Sequence, residues 1–85
     1  MAKLSIKETI ENVVIKILKV TIPMEKVRQW GMTFNCDELA QIEIIMDVER
    51  IFEIDLKTID GTWFVTVGEF IDALVKETEK QKKNK

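Results

Sequence analysis

Residues 35–56 read NCDELAQIEIIMDVERIFEIDL, a pattern that predicts an acidic amphipathic helix followed by a short hydrophobic exit. Between Asp37 and Asp55 lie seven acidic side chains and one basic side chain, Arg50. Seven acids against one base give this segment a charge of −6, whereas the whole chain carries −2. The negative charge is therefore concentrated on one element, which a binding partner would meet first.

The predicted central helix has two apolar faces when each residue is rotated by about 100°. One face is expected to enter the core and carries Ile44, Ile45, Val48, Ile51 and Phe52. The other face, called the apolar ridge below, consists of Leu39, Ile42 and Met46. An apolar ridge among charged side chains is typical of a surface that recognises another protein. The alternative is that a neighbouring helix covers part of it, above all Ile42.

One further helix is predicted before the central helix and one after it. Residues 5–19 have apolar side chains at helical spacing after a capping box of Ser5 and Glu8. The last helix begins with a second capping box, Thr66 and Glu69, and is expected to end near Lys80. The sequence thus predicts an all-α bundle of three main helices, with one short helix between the second and third.

Both connections are expected to fold back onto the core. Residues 20–35 form a long first loop in which Pro23 allows a short helical turn at 24–29. Four apolar side chains would pin this loop: Ile22, Val27, Trp30 and Phe34. In the second connection a helical turn is predicted at 57–61, and Trp63, Phe64 and Val65 would return to the core. A strand at 62–67 is not expected, because a lone strand has nothing to pair with.

The composition limits the kinds of site that this chain can build. Its 85 residues predict one small domain, residues 1–80, and a basic tail, residues 81–85, that is expected to be disordered. With no histidine and a single cysteine, Cys36, the common zinc sites and Ser-His or Cys-His nucleophile pairs are excluded. We therefore expect neither an enzyme active site nor a metal site.

The same composition indicates the surroundings of the protein. A single cysteine allows no intrachain disulfide, so a reducing cytoplasmic compartment is expected. The N-terminus has no apolar signal segment, and no run approaches the roughly 18 apolar residues of a membrane span. The acidic balance argues against nucleic acid as a partner, with the basic tail as the only opposing signal. We expect a monomer that contacts neither membranes nor nucleic acid.

Three motifs together resemble those of the acyl carrier protein family: Asp37-Glu38-Leu39, the exit Arg50-Ile51-Phe52-Glu53-Ile54-Asp55-Leu56, and Thr66-Val67-Gly68-Glu69. The resemblance covers residues 6–75 and is strongest at 35–56. It implies a four-helix bundle that carries acyl intermediates of fatty-acid or polyketide synthesis on a 4'-phosphopantetheine arm. It also implies that partner enzymes recognise the second main helix.

The chain departs from this family at the attachment position. The family attaches its arm to the serine of an Asp-Ser-Leu motif, and Glu38 stands at that position here. A carboxylate lacks the alcohol oxygen that forms the phosphodiester, so we expect no prosthetic group. Thr33 lies five positions earlier, Cys36 would give a different linkage, and Ser5 is expected to cap the first helix.

Glu38 has two interpretations. In the first, its carboxylate stabilises the positive end of the helix, by about 0.3 to 1 kcal/mol, and closes a capping box with Asn35. In the second, its fixed charge imitates the phosphate of a modified carrier. Cys36 likewise is either a small packed residue or a thiol activated by the helix start. The acids nearby lack a calcium-binding loop pattern and are interpreted as a solvated face.

The resemblance assigns partner binding to side chains of the helix at residues 37–53: Asp37, Leu39, Ile42, Glu43, Met46, Asp47 and Glu49. The expected partners are enzymes that recognise acyl carriers, or a related protein. Arg50 departs from the family, which tends to have an acid there. Three functions remain open: a carrier-like protein that acts through protein contacts alone, a working carrier whose acceptor was substituted or misaligned, and an unrelated helical adaptor.

Overall fold

Three long helices form the framework of the fold: α1 at Ile6–Leu18, α4 at Glu38–Phe52 and α5 at Val67–Lys83. Two short helices, α2 at Met24–Val27 and α3 at Met32–Asn35, lie between α1 and α4. One turn of 3-10 helix, Gly61–Trp63, precedes α5. This computed structural model describes residues 5–83. Within that range there is no strand, only an isolated bridge between Gly31 and Thr66, so the all-α prediction is confirmed.

The core lies where α1 packs against both α4 and α5. Its buried apolar side chains are Ile10, Val13 and Val14 of α1, Ile44 and Val48 of α4, and Val67, Phe70, Ile71 and Leu74 of α5. The connections add Val27, Met32, Cys36 and Leu56. Each long helix thus buries the centre of the stripe that its helical spacing predicts. No helix within residues 5–83 combines the length and the apolar character needed to cross a membrane.

The capping boxes predicted for α1 and α5 form, with one change at α5. At α1 the box is complete, since Glu8 N donates to Ser5 Oγ and Ser5 N donates to Glu8 Oε1, each at 3.1 Å. At α5 the amide of Glu69 donates to Thr66 Oγ1 at 3.2 Å. The Glu69 carboxylate, however, accepts a hydrogen bond from Val65 N at 2.9 Å, one residue before the predicted partner.

The connections contain more helix than the sequence predicts. Helix α2 falls within the turn expected at 24–29, whereas α3 has no counterpart in the prediction. The short helical turn lies at 61–63 rather than 57–61. Helix α5 continues to Lys83, so residues 81–83 of the predicted disordered tail are helical. Gln81 explains this extension, because its Nε2 donates to Asp55 O at 2.7 Å and ties the last turn to the exit of α4.

Several predicted core residues lie at the surface. Ile51 is exposed because it lies about 60° from Val48 around α4, at the edge of the buried stripe, and apolar spacing does not define how wide the covered stripe is. Trp63 and Val65 are also exposed, while Phe64 between them packs on Phe70. Trp63 ends the 3-10 turn and Val65 follows it toward α5, so Phe64 is the only one of these three neighbours that packs inward.

The first loop shows the same mixture of outcomes. Val27 is fully buried and Trp30 packs partly buried against the core, as predicted. Ile22 is exposed, because it precedes α2 and lies outside the part of the loop held by hydrogen bonds to α5. The predicted pin at Phe34 concerns a side chain outside the described part of the structure.

Candidate protein-docking site

The start of α4 is held by Asp37, whose Oδ1 accepts a hydrogen bond from Ala40 N at 2.8 Å. Glu38 is the first residue of the helix and is exposed, with no hydrogen bond or ion pair to its carboxylate among residues 5–83. The predicted capping box of Asn35 and Glu38 is wrong, because the helix begins one residue after Asp37. Asn35 Nδ2 instead donates to Gly31 O at 3.0 Å and closes α3. The first-turn placement of Glu38 is confirmed and suits the helix dipole.

Two open clefts meet at the first turns of α4. The first cleft has a volume of about 360 Å³ and lies between α3, α4 and the 3-10 turn. The second has a volume of about 430 Å³ and lies between α4 and the segment 57–61. Glu38, Gln41 and Gly61 line both clefts. Glu38 therefore stands where the two clefts join.

The Gln41 side chain lines both clefts. Its Nε2 donates to Cys36 O at 2.9 Å, and its side chain lies directly against Gly61. A Cβ atom at Gly61 would overlap the amide at the end of the Gln41 side chain, so that side chain would have to move to accept a larger residue at position 61. Gln41 and Gly61 are not predicted as site residues, because their contact joins residues twenty positions apart and follows no periodic pattern.

The apolar ridge is exposed on the outer side of α4. Leu39 is 64% exposed, Ile42 47% and Met46 60%. The predicted exposed face is thus confirmed, and no helix within residues 5–83 covers Ile42. Ile42 also forms part of the second cleft. Ridge and cleft therefore make one continuous surface.

The acids of α4 are not equivalent. Asp47 Oδ2 lies 3.3 Å from Lys16 Nζ, and its Oδ1 lies 2.6 Å from Arg50 Nη2. Burial opposes ionisation of Asp47, but these two cations outweigh it and hold the pKa of the carboxyl below its usual value. Glu49 Oε2 accepts a hydrogen bond from Leu56 N at 2.7 Å and thereby fixes the exit of α4.

Glu38 and Glu43 are consequently the exposed acids that face outward next to the ridge. Glu43 lies four residues after Leu39 and three before Met46, which places it beside both on the helix surface. Asp47 and Glu49, which the resemblance assigns to partner binding, are committed to contacts inside the fold, and Asp37 is committed to its cap. The candidate docking surface is therefore narrower than the predicted helix 37–53 and is centred on its first three turns.

Cys36 is a packed residue rather than an activated thiol. Its side chain is fully buried, and burial together with the adjacent charge of Asp37 raises its pKa to about 11. The thiolate is the reactive form, so the interpretation of Cys36 as an activated nucleophile is wrong.

Thr33 lies closer to the site than its sequence position indicates. It is exposed on α3 and lines the first cleft together with Glu38. The turn between α3 and α4 brings the two residues into the same cleft, and α3 was not predicted. Within the described residues 5–83, no group of three or more His, Cys, Asp and Glu side chains is arranged to hold a metal ion.

No family model, no curated protein and no solved structure matches this chain. The functional interpretation therefore rests on the residues themselves and on the geometry of the surface around Glu38.

Proposed function

We propose that this chain is an acyl-carrier-like protein that carries no 4'-phosphopantetheine and acts by docking to a protein partner through the first three turns of α4. The observation that carries the proposal is the placement of Glu38. It is exposed at the first position of α4, beside two clefts and next to the apolar ridge. Helices α1, α4 and α5 would be the main helices of a carrier-type bundle, with Gly61–Trp63 in place of a short third helix.

The chemistry of attachment supports the absence of the arm. Transfer of phosphopantetheine needs an alcohol oxygen, and the first turn of α4 consists of Glu38, Leu39 and Ala40. The only serine, Ser5, caps α1 and is hydrogen-bonded there. A carboxylate at position 38 leaves the docking surface in place and removes the acceptor.

The surface also indicates the chemistry of the partner. An exposed apolar ridge flanked by Glu38 and Glu43 matches a partner face that has an apolar pocket and basic residues at its rim. A second copy of the chain is a poor match, because a two-fold contact through the ridge would bring the same acids of both copies together. The partner is therefore expected to be a different protein, of the class that recognises acyl carriers.

Attachment is tested by incubating the protein with a phosphopantetheinyl transferase and coenzyme A, followed by intact-mass measurement. We expect no change in mass for this chain. Glu38→Ser is the matched variant, since it restores the hydroxyl at the first position of α4. Modification of the unchanged protein would contradict the proposal, and an inert Glu38→Ser would show that the resemblance does not extend to carrier chemistry.

A second candidate function is that of a working carrier with a different acceptor. The observation that favours it is that Thr33, an exposed hydroxyl residue, lines the same cleft as Glu38. If the unchanged protein gains the mass of the arm, peptide mapping locates it, and Thr33→Ala should abolish the gain. Absence of the arm on Thr33 would rule out this second candidate function.

Docking is tested by measuring binding to a ketosynthase that recognises acyl carriers. We expect Met46→Ser and Glu43→Lys each to weaken binding by about tenfold, because a few central residues carry most of an interface energy. Glu79→Lys is the matched control, since Glu79 is exposed on α5, away from the ridge. Equal binding by all variants would favour the unrelated helical adaptor.

A further inference from the structure

We propose that the second cleft receives a basic side chain of the docking partner, with Glu38 as its counter-ion. This inference rests on the proposed docking function. It makes Glu38 a residue that binds the partner directly, rather than one that only prevents attachment of the arm. The second cleft has a volume of about 430 Å³, which exceeds the volume of one side chain and leaves room for an incoming group.

The walls of the second cleft match the two parts of an arginine or lysine side chain. Ile45 and Ile59 form its inner surface and pack partly buried against the core, while Ile42 continues to the ridge. Arginine and lysine lay their methylene stems along apolar surface and keep their charged heads toward water and carboxylates. The isoleucines would contact the stem, and Glu38 at the mouth would contact the head.

The charges around the cleft favour a cation over an anion. Glu38 and Asp60 are acidic and Lys57 is basic, so the lining carries one net negative charge. The Glu38 carboxylate has no ionic partner within residues 5–83, whereas the other exposed acid of the surface, Glu43, lines neither cleft. Lys57 repels an entering cation, so removal of its charge should strengthen cation binding, whereas removal of the Glu38 charge should weaken it.

The proposal also defines the arrangement of groups on the partner. The cleft opens beside Ile42, so the basic side chain would lie next to the apolar groups that cover Leu39 and Met46. A partner helix with a basic residue one turn away from an apolar anchor satisfies this arrangement. Such a pair of contacts would recognise position 38 directly and distinguish this chain from a carrier with serine there.

The experiment uses the full chain labelled with ¹⁵N and ¹³C-methyl isoleucine, titrated with butylguanidinium or butylammonium chloride and followed by NMR. The two cations distinguish arginine from lysine. We expect either cation to shift the signals of Glu38, Ile42, Ile45 and Ile59 with a dissociation constant in the millimolar range, about the scale of single-contact ligands. Pentanoate, an anion with the same stem, should bind more weakly. Equal or tighter binding of pentanoate would overturn the proposal.

Three variants with one charge change each complete the test. Glu38→Gln should weaken binding of the cation about two- to fivefold, the range expected for an exposed ion pair. Lys57→Gln should strengthen it by a similar factor. Glu79→Gln changes an exposed acid of α5 that lines neither cleft, so it is the matched control and should leave cation binding unchanged. A loss in Glu79→Gln equal to that in Glu38→Gln would attribute the effect to the net charge of the protein and overturn the proposal. Ketosynthase binding that persists while the small cations fail to bind would refute this inference and leave the docking function intact.

Discussion

The amide nitrogen of Gly68 lies 2.9 Å from the carbonyl oxygen of Arg28, and this hydrogen bond joins the start of α5 to the residue that follows α2. The same arginine holds α1 and α5 through its side chain, with Nη2 2.7 Å from Asp72 Oδ1 and Nη1 3.5 Å from Glu11 Oε2. Arg28 thus ties the first loop to α1 through its side chain and to α5 through both its side chain and its carbonyl oxygen. The backbone hydrogen bond to Gly68 depends on the absence of a side chain at position 68.

Gly68→Ala should lower the free energy of unfolding by about 1–2 kcal/mol. A Cβ atom there would lie 2.8 Å from Arg28 O and 3.0 Å from Arg28 Cβ, so backbone must shift, and the cost of overpacking exceeds the helix-propensity gain of about 1 kcal/mol. Urea denaturation measures the change. Gly31→Ala is the control, because its Cβ would meet Val65 O at 3.9 Å. A Gly68→Ala variant as stable as Gly31→Ala would contradict the close contact.

Glu53→Gly should raise the free energy of unfolding by about 0.5–1 kcal/mol. Glu53 ends α4 with φ of 55°, a left-handed conformation that costs a residue with a Cβ atom roughly 1–2 kcal/mol and costs glycine little. The greater freedom of glycine in the unfolded chain offsets part of that gain. Thermal unfolding of Glu53→Gly and Glu53→Ala separates the two effects, since alanine removes the charge and keeps the strain. A gain in Glu53→Ala as large as in Glu53→Gly would attribute the effect to charge.

The long helices were predictable because their information is local. Helical spacing and capping residues such as Ser5 and Glu8 define α1, and the buried Ile44 and Val48 follow from the period of α4 alone. The exposure of Ile51 was not predictable, since it depends on how far the neighbouring elements extend over the edge of the helix. Helix α3 was missed because four residues are too few to show a period.

The candidate site was predictable only in part. The exposed ridge follows from the same helical period as the core, and the position of Glu38 follows from the motif. The clefts do not, because they depend on the packing of Gly61 against Gln41 across twenty residues. The acidic charge of α4 also predicted a docking surface that is too broad. Glu49 was included in it, but its carboxylate accepts a hydrogen bond from Leu56 N, a contact that the sequence does not predict.

The two tryptophans should differ sharply in their contribution to stability. Trp63 is 68% exposed, whereas Trp30 packs partly buried against the core. We expect Trp63→Ala to change the free energy of unfolding by less than about 0.5 kcal/mol and Trp30→Ala to lower it by about 2 kcal/mol or more. Urea denaturation followed by circular dichroism measures both without relying on tryptophan fluorescence. Similar losses in the two variants would indicate that Trp63 packs inward.

Thr78→Val should stabilise the protein by about 1 kcal/mol. Thr78 is fully buried in α5, and its hydroxyl has no hydrogen-bond partner among the described residues. Valine has nearly the same shape and removes the cost of burying an unpaired hydroxyl, which is about 1–3 kcal/mol. The helix propensities of valine and threonine are similar, so the exchange costs little in the helix itself. Thr78→Ser keeps the hydroxyl, loses a methyl group and should destabilise. A Thr78→Val variant that is less stable than the unchanged protein would indicate a hydrogen bond at this position.

Asp47→Asn should lower the free energy of unfolding by about 0.5–1 kcal/mol at pH 7 and by nearly nothing near pH 2. The ion pairs with Lys16 and Arg50 hold the pKa of Asp47 below its usual value in the folded protein. A carboxyl with a lowered folded-state pKa contributes stability above its unfolded pKa of about 3.9, and this contribution disappears as the pH falls through the folded pKa. The magnitude is that of a surface pair, because Lys16 and Arg50 are largely exposed.

Urea denaturation at pH 7, 4 and 2 measures this difference, with Glu43→Gln as the control. Glu43 is exposed and has no ion pair within residues 5–83, so its variant should match the unchanged protein at each pH. Added salt should reduce the Asp47 effect at pH 7, since exposed charges are screened within about 10 Å at 0.1 M. A loss in Asp47→Asn that persists at pH 2 would show that the residue stabilises α4 through packing rather than through its charge, and the division of the helix acids into engaged and outward-facing groups would then need a different physical basis.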